Sequence, residues 1–232
     1  MNPPLALITG TASGIGRCTA ERLIREGWQI LGIDQADPTI DSPRYQHHIA
    51  DLATDPGHAS ALQAAREASA PVQAVVHAAG IMRADDHPDI RADGGLRLWR
   101  LHVLAAHRLI EDLAPQMPDR HGRIVLVGSR AAAGRAGRAI YAGSKAALNG
   151  VARSWAAALI ARGITVNIIS PGSTDTPMLR DPARIGAPVM PLPIGRLIQP
   201  DEIAAWVSML LGETAGTTTG QTIVIDGGVS LA

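Results

Sequence analysis

The chain has 232 residues, 46% of them hydrophobic, which is enough to bury one sizeable core. Its 21 lysines and arginines balance 21 aspartates and glutamates, so no net charge favours nucleic acid or an anionic membrane as a partner. The single cysteine excludes an internal disulfide, and no apolar run reaches the roughly 20 residues of a membrane span, so we expect a cytoplasmic protein. The eight histidines match no ligand spacing, so no metal site is predicted.

Short apolar runs alternate along the chain with segments of helical period. In order they are LALITG and GRCTAERLIREG, then WQILGID, ALQAAREASA, AVVHAAG, LRLWRLHVLAAHRLIEDLAP, RIVLVGS, YAGSKAALNGVARSWAAALIARG, TVNIISPG, PDEIAAWVSMLLG and QTIVIDGG. Wholly apolar strands that alternate with helices are typical of a parallel sheet covered on both faces. We predict an α/β fold, a doubly wound Rossmann-like parallel sheet, as a single domain over residues 1–232. The proline-rich stretch at about 177–200 predicts a substrate lid, with an irregular connection as the alternative.

Three glycines follow the first predicted strand and begin the first predicted helix, in ITGTASGIGR. Glycine permits a tight turn and lets the backbone approach a pyrophosphate, whose charge the N–H groups of the helix N-terminus can meet. Gly10, Gly14 and Gly16 therefore predict a dinucleotide site. A glycine triplet alone is a weak signal, but its place at the first strand–helix junction strengthens it.

Asp34 ends the second predicted strand. Its carboxylate can accept hydrogen bonds from the ribose hydroxyls of adenosine and would repel a 2′-phosphate, so we predict NAD, with NADP less favoured. Arg17, one residue beyond the glycines, is a cation near the turn that weakens this prediction.

Tyr141 and Lys145 are four residues apart in AIYAGSK, so a helix would place both side chains on one face. A free phenol has a pKa of about 10, and a nearby ammonium stabilises the phenolate, which makes such a tyrosine useful as an acid-base group. Ser129 follows the predicted buried strand RIVLVG, at the sheet edge where ligands bind in open parallel sheets. The three residues together predict a catalytic site, whereas a Tyr/Lys helix face alone is commonplace.

The motifs TGTASGIG, HAAG, YAGSK and SPGSTDT, in this order and spacing, resemble those of the short-chain dehydrogenase/reductase family across essentially the whole chain. The resemblance implies an NAD(P)-dependent oxidoreductase acting on CH–OH groups. Tyr141 would be the acid-base group, Lys145 would bind the nicotinamide ribose, and Ser129 would orient the alcohol or ketone. The implied cofactor contacts are Gly10, Ser13, Gly14, Ile15, Gly16, Asp34, Asp51, Leu52, Ala78, Ala79, Gly80, Tyr141, Lys145, Pro171, Gly172, Thr174 and Thr176. For the two threonines, an ordinary role in a turn after a strand is the alternative.

Several stretches, including HAAGIMR, SPGSTDTPM and PIGRLIQPDEIA, are similar to a subgroup of the family that oxidises a cyclic diol bearing a carboxylate. This closer resemblance implies substrate contacts from Arg83, Arg130, Arg138 and Met178, since a guanidinium can bind a carboxylate through two N–H groups. Exposed arginines without a role in the site are the alternative.

Two features depart from the family pattern. His102 stands where the family usually has an asparagine whose main chain holds a water linking the lysine to solvent. The histidine could keep this main-chain contact, act as a proton relay, weaken the enzyme, or simply pack on a helix face. The interval from Ser129 to Tyr141 is 12 residues, one shorter than usual in the family, which predicts an altered substrate pocket.

The leading hypothesis is an NAD-dependent dehydrogenase that oxidises a secondary alcohol, on a small cyclic or carboxylated diol. A 3-oxoacyl or general carbonyl reductase is the alternative within the same enzyme class. A nucleotide-binding regulatory protein with weakened catalysis is the alternative from another class. The resemblance also implies a homo-oligomer, a dimer or a homotetramer, paired through the helices that contain Trp99 and Trp155.

Overall fold

The computed structural model describes residues 3–181 and 192–231, and over these residues it shows one sheet of seven parallel strands. In chain order the strands are β1 Leu5–Thr9, β2 Gln29–Asp34, β3 Tyr45–Ile49, β4 Val72–His77, β5 Arg123–Val127, β6 Thr165–Pro171 and β7 Thr222–Ile225. Their order in the sheet is β3-β2-β1-β4-β5-β6-β7. The predicted doubly wound α/β fold is confirmed. The strand order reverses between β1 and β4, the point at which such sheets open a crevice for ligands.

Helices cover both faces of the sheet. They are α1 Gly14–Arg25, α2 Asp55–Arg66, α3 Pro88–Asp93, α4 Leu96–Trp99, α5 Ala105–Leu113, α6 Ala139–Leu159, α7 Pro177–Arg180 and α8 Pro200–Leu211. Helices α1 and α8 pack against one face, and α2, α5 and α6 pack against the other. Strands β1, β5 and β6 are consequently buried along their whole length, which explains why their sequences are apolar without alternation.

Strand β3 is absent from the elements predicted from the sequence. Its residues, YQHHI, are polar and only partly buried because β3 lies at the edge of the sheet, with a neighbour on one side. An edge strand needs no continuous apolar run, so hydrophobic patterning gives little signal there.

A π-helical turn, Arg100–Leu104, separates α4 from α5. The segment LRLWRLHVLAAHRLIEDLAP, predicted as one helix, is therefore continuous but wound more loosely in its middle. Such turns are frequent at functional sites, and this one carries His102.

Only part of the predicted lid at about 177–200 can be compared with the structure. Its first residues form α7, and Met178 and Leu179 face the cavity described below. Residues 182–191 of the predicted lid lie outside the described residues. Among the helices that are described, none is long and apolar enough to cross a membrane.

Candidate active site

A cavity of about 310 Å³ lies at the carboxyl ends of β1, β4, β5 and β6. All the residues expected from the sequence to contact the cofactor line this cavity, Tyr141 and Lys145 among them. Ser129 and His102 line it as well. Gly10 and Thr176, which are 166 positions apart in the chain, therefore meet at one edge of the sheet, where the topology predicts a ligand.

The glycine turn lines the part of this cavity where the phosphates of a dinucleotide are expected. Gly10 and Gly14 have φ angles of +78° and +55°, a region that residues with a Cβ rarely adopt. A Cβ on Gly16 would lie 2.2 Å from the Gly10 carbonyl oxygen, so the backbone passes too close to itself for any side chain. Ser13 begins α1 without a capping hydrogen bond from its side chain, and the first turn of α1 carries no acidic residue. The uncapped helix N-terminus fits a pyrophosphate.

Asp34 lines the cavity at the end of β2, where an adenosine is expected, and backbone amides hold its carboxylate in place. Its Oδ2 accepts a hydrogen bond from the Ala12 amide at 2.9 Å, and its Oδ1 accepts one from the Ala36 amide at 3.0 Å. Arg17 does not line the cavity, because it extends along the exposed face of α1 to Glu21 at 2.8 Å. The cation that weakened the NAD prediction thus points away from the site.

Arg97 lies beside Asp51 in the cavity, and no pattern in the sequence indicates it. It comes from α4 and lines the cavity, where it donates to Asp51 Oδ2 at 2.9 Å and to Gln35 Oε1 at 3.4 Å. The chain gives no local signal for this contact, since the partners are 46 and 62 residues away.

The three expected catalytic residues come together. Ser129 follows β5, and its Oγ accepts from the Ala131 amide at 3.1 Å, so its hydroxyl hydrogen remains available to a substrate oxygen. Tyr141 and Lys145 lie one turn apart on α6 and are 8% and 5% exposed. All three side chains line the same cavity.

Lys145 is an ammonium group inside a low-dielectric site. Its Nζ donates to the Val127 carbonyl at 2.8 Å. Burial lowers the pKa of Lys145 from 10.5 to about 8. The side chain therefore still carries its charge near neutral pH and has further N–H groups to offer a hydroxylated ligand.

His77, at the end of β4, is hydrogen-bonded both to β1 and to the π-helical turn. The Leu101 carbonyl can only accept, so His77 Nε2 carries the hydrogen and donates to it at 2.9 Å. Thr9 Oγ1 already accepts from the Ala78 and Ala79 amides, so its own hydrogen goes to His77 Nδ1 at 3.0 Å. Burial, reinforced by the charge of Lys145, lowers the pKa of His77 to about 3. The histidine of HAAG is thus a neutral structural group, while the residues after it line the cavity.

His102 lies fully buried beside these residues, on the π-helical turn. Its Nε2 accepts from the Ile81 amide at 3.1 Å, and its Nδ1 is 2.9 Å from Ser144 Oγ. Its ring meets the ring of Tyr141 edge-on, with centroids 5.7 Å apart. Burial, with smaller contributions from Lys145 and His77, lowers the pKa of His102 well below its usual value.

The remaining end of the cavity is rich in arginine. Of the residues expected to contact substrate, Arg130, Arg138 and Met178 line it, and Arg135 lines it as well. Arg83 does not line it, because its guanidinium lies 3.1 Å from Asp181 and 3.4 Å from Asp89. Within residues 3–181 and 192–231, no group of three or more potential metal ligands is found.

Similarity to known proteins covers almost the whole chain. Residues 10–230 match the sequence family described as Enoyl-(Acyl carrier protein) reductase. The chain is 33% identical to the 3-oxoacyl-(acyl-carrier-protein) reductase FabG of Salmonella typhimurium, over 97% of this chain and 96% of that protein. It is 32% identical to the 2,3-dihydro-2,3-dihydroxybenzoate dehydrogenase of Escherichia coli, again over 97% of this chain and 96% of that protein.

Among solved structures, a blue fluorescent protein from a metagenomic library, in complex with NADPH, is 30% identical and superposes with a TM-score of 0.85 over 98% of both chains.

The reductase of Salmonella typhimurium and the dehydrogenase of Escherichia coli, at 33% and 32% identity, are almost equally similar to this chain. Overall identity therefore does not separate the subgroup that oxidises a carboxylated diol from the 3-oxoacyl reductases.

Proposed function

This chain belongs to the short-chain dehydrogenase/reductase family of nicotinamide-dependent oxidoreductases, and we propose that it oxidises a secondary alcohol with NAD+. One observation carries the proposal. Ser129, Tyr141 and Lys145 line the same cavity as the glycine turn and Asp34, so a nicotinamide cofactor and a small alcohol have adjoining sites.

The residues divide the proton chemistry between them. Ser129 donates its hydroxyl hydrogen to the substrate oxygen and fixes its position. Tyr141, as phenolate, takes the proton of the alcohol, and the Lys145 ammonium stabilises that phenolate. The bound cofactor supplies a nicotinamide ring that accepts the hydride from the carbinol carbon. Loss of the hydroxyl proton and of the hydride would convert the alcohol to a ketone.

The choice of NAD+ over NADP+ rests on Asp34. Two backbone amides hold its carboxylate at the end of β2, where a 2′-phosphate would meet a fixed negative charge. Arg97, the cation on this side of the cavity, is paired with Asp51. Titration of the protein with both cofactors tests this point. We expect tighter binding of NAD+, and a smaller preference in Asp34→Ala, whereas equal affinities in the unmodified protein would refute the argument.

The substrate we propose is a small cyclic or carboxylated diol. Arg130 and Arg135 line the substrate end half-buried, and no acidic residue lines that end among the described residues. A carboxylate is the complementary group. We expect Arg135→Ala to raise KM for a carboxylated dihydrodiol while leaving KM for its uncharged analogue unchanged.

The reaction class is tested by screening NAD+ and NADP+ reduction across dihydrodiols, hydroxy acids and hydroxysteroids. Tyr141→Phe removes only the phenolic oxygen and should lower kcat by about 10²–10⁴-fold. Unchanged turnover in this variant would show that Tyr141 is not the acid-base group.

A 3-oxoacyl reductase is the second candidate, favoured by the 33% identity to the Salmonella typhimurium enzyme. It predicts that a β-ketoacyl thioester is reduced with NADPH faster than any alcohol in the panel is oxidised. Such a result, together with no effect of Asp34→Ala, would replace the dehydrogenase proposal.

We also propose a homo-oligomer, dimer or tetramer, paired through α4 and α6. Trp99 is 43% exposed on α4, and tryptophan is enriched at interfaces because its large apolar surface gains from burial. Light scattering should give a mass of at least two chains, and a monomer would refute the proposal.

A further inference from the structure

The buried ring of His102 connects two parts of the active site that are distant in sequence. One neighbour is the Ile81 amide, in the loop that follows β4, and the other is Ser144, on the catalytic helix α6. Ser144 Oγ in turn lies 2.8 Å from the Tyr141 carbonyl oxygen. The contacts therefore run from the wall of the cavity to the main chain of Tyr141.

The chemistry of these groups fixes the direction of every hydrogen bond. A backbone amide can only donate, so Nε2 of His102 accepts from Ile81 and the ring hydrogen is on Nδ1. This N–H donates to Ser144 Oγ. A carbonyl can only accept, so the hydroxyl hydrogen of Ser144 goes to Tyr141. The Ile81 amide, His102 Nδ1 and Ser144 Oγ thus each donate to one acceptor, and none of these hydrogen bonds places two hydrogens between the same pair of atoms.

This arrangement leaves the ring no means to pass a proton. Protonation of Nε2 would place an N–H against the N–H of Ile81 and would add a positive charge near the ammonium of Lys145. The hydrogen on Nδ1 is directed at Ser144, which is buried and does not line the cavity. His102 is consequently neutral and held on both sides.

We propose that His102 is a positioning residue for Tyr141, and that it orients this side chain through Ser144 and through edge-on contact of the two rings. This inference rests on the proposed role of Tyr141. His102 lies on the π-helical turn and lines the cavity. The hydrogen bond from His77 to the Leu101 carbonyl holds that turn against β4. The family resemblance assigned the equivalent position a main-chain contact, whereas here the side chain is bound at both ring nitrogens.

Two variants test the connection at different points. His102→Leu removes both ring hydrogen bonds. Ser144→Ala removes the acceptor of the His102 Nδ1–H together with the bond to the Tyr141 carbonyl, keeps the contact with Ile81, and changes little volume. In each we expect kcat to fall by about 10- to 100-fold, because small misplacement of a reacting group is costly. The Kd for NAD+ should change less than about twofold, and the double variant should lose little more than His102→Leu alone, since both act through one series of contacts. His121→Leu, at an exposed position, is the matched control.

A proton relay predicts a different pattern. Imidazole added to His102→Leu would then restore kcat, and one ionisation would vanish from the pH profile of kcat in His102→Leu but persist in Ser144→Ala. Either observation overturns the proposal, as does an unchanged kcat in Ser144→Ala. If His102→Leu fails to fold, Ser144→Ala still decides, because its fall in kcat is expected without loss of the fold.

A measurement without turnover separates this inference from the proposed function. The chain contains two tyrosines, Tyr45 and Tyr141, and Tyr45 does not line the cavity. In a Tyr45→Phe background, the ultraviolet absorbance of phenolate therefore reports on Tyr141 alone. Ser144→Ala should shift its titration to higher pH, because a displaced phenolate gains less from Lys145. No shift would contradict positioning by His102, even if no substrate in the panel is oxidised.

Discussion

Replacing His77 with asparagine should make the stability of this protein less sensitive to acid. His77 is fully buried and accepts no proton in the folded state until about pH 3, because burial and the charge of Lys145 oppose its ionisation. An unfolded histidine titrates near pH 6.5. The folded pKa is thus depressed, and the unfolded chain binds a proton that the native state does not. Stability that is present at neutral pH is therefore lost as the pH falls from about 6.5 towards 3.

The size of this effect follows from the pKa difference. Each pH unit below the unfolded pKa costs about 1.4 kcal/mol per histidine, so His77 costs about 2 kcal/mol between roughly pH 7 and pH 5. The cost in this interval is the same for any folded pKa below about 4. His102 is also held neutral by burial and adds a cost of the same sign.

Urea unfolding of the cofactor-free protein, followed by tryptophan fluorescence at several pH values, measures this directly. His77→Asn should lose about 2 kcal/mol less than the unmodified chain over that interval. The quantity compared is the change in the free energy of unfolding with pH. A loss of stability in the variant that is the same at every pH therefore does not alter the result. His121→Asn, at an exposed position, should leave the pH dependence unchanged. Parallel curves for His77→Asn and the unmodified protein would show that His77 titrates normally.

Three further predictions concern the glycine turn and the catalytic helix. Gly16→Ala should weaken cofactor binding at least tenfold, as measured by calorimetry, because its Cβ would lie 2.2 Å from the Gly10 carbonyl oxygen. An affinity equal to that of the unmodified protein would contradict the role of the glycine turn in binding. The pKa of Lys145 is about 8 in the folded protein and 10.5 in the unfolded chain, so between these pH values the folded state has lost a proton that the unfolded chain still holds. The free energy of unfolding should therefore rise by up to about 3 kcal/mol as the pH increases from 8 to 10.5. Lys145→Met should abolish this rise in urea unfolding, and its persistence would refute the assignment. Asp85 accepts from the Ala139 amide at 2.8 Å and caps α6 from a distant loop, so Asp85→Ala should cost about 1 kcal/mol in the same assay while Asp86→Ala costs nothing measurable.

The sequence was sufficient to predict the parts of this molecule that depend on local spacing. Alternating apolar runs and helical segments predicted the parallel sheet, because strands buried on both faces must be apolar throughout. The glycine turn and the carboxylate of Asp34 were predicted because each lies at the end of a strand, and all such ends meet at one edge. The helical interval between Tyr141 and Lys145 placed both side chains in the cavity.

Contacts between distant segments decided the rest. Arg83 and Arg135 look alike in the sequence, but acidic partners hold Arg83 outside the cavity while Arg135 lines it. Strand β3 has no apolar pattern because it lies at the edge of the sheet with its side chains only partly buried or exposed. The role of His102 was open in the sequence, since a ring nitrogen donates or accepts according to its neighbours. Only the folded chain brings the Ile81 amide and Ser144 to that ring, and these two partners determine where its hydrogen lies.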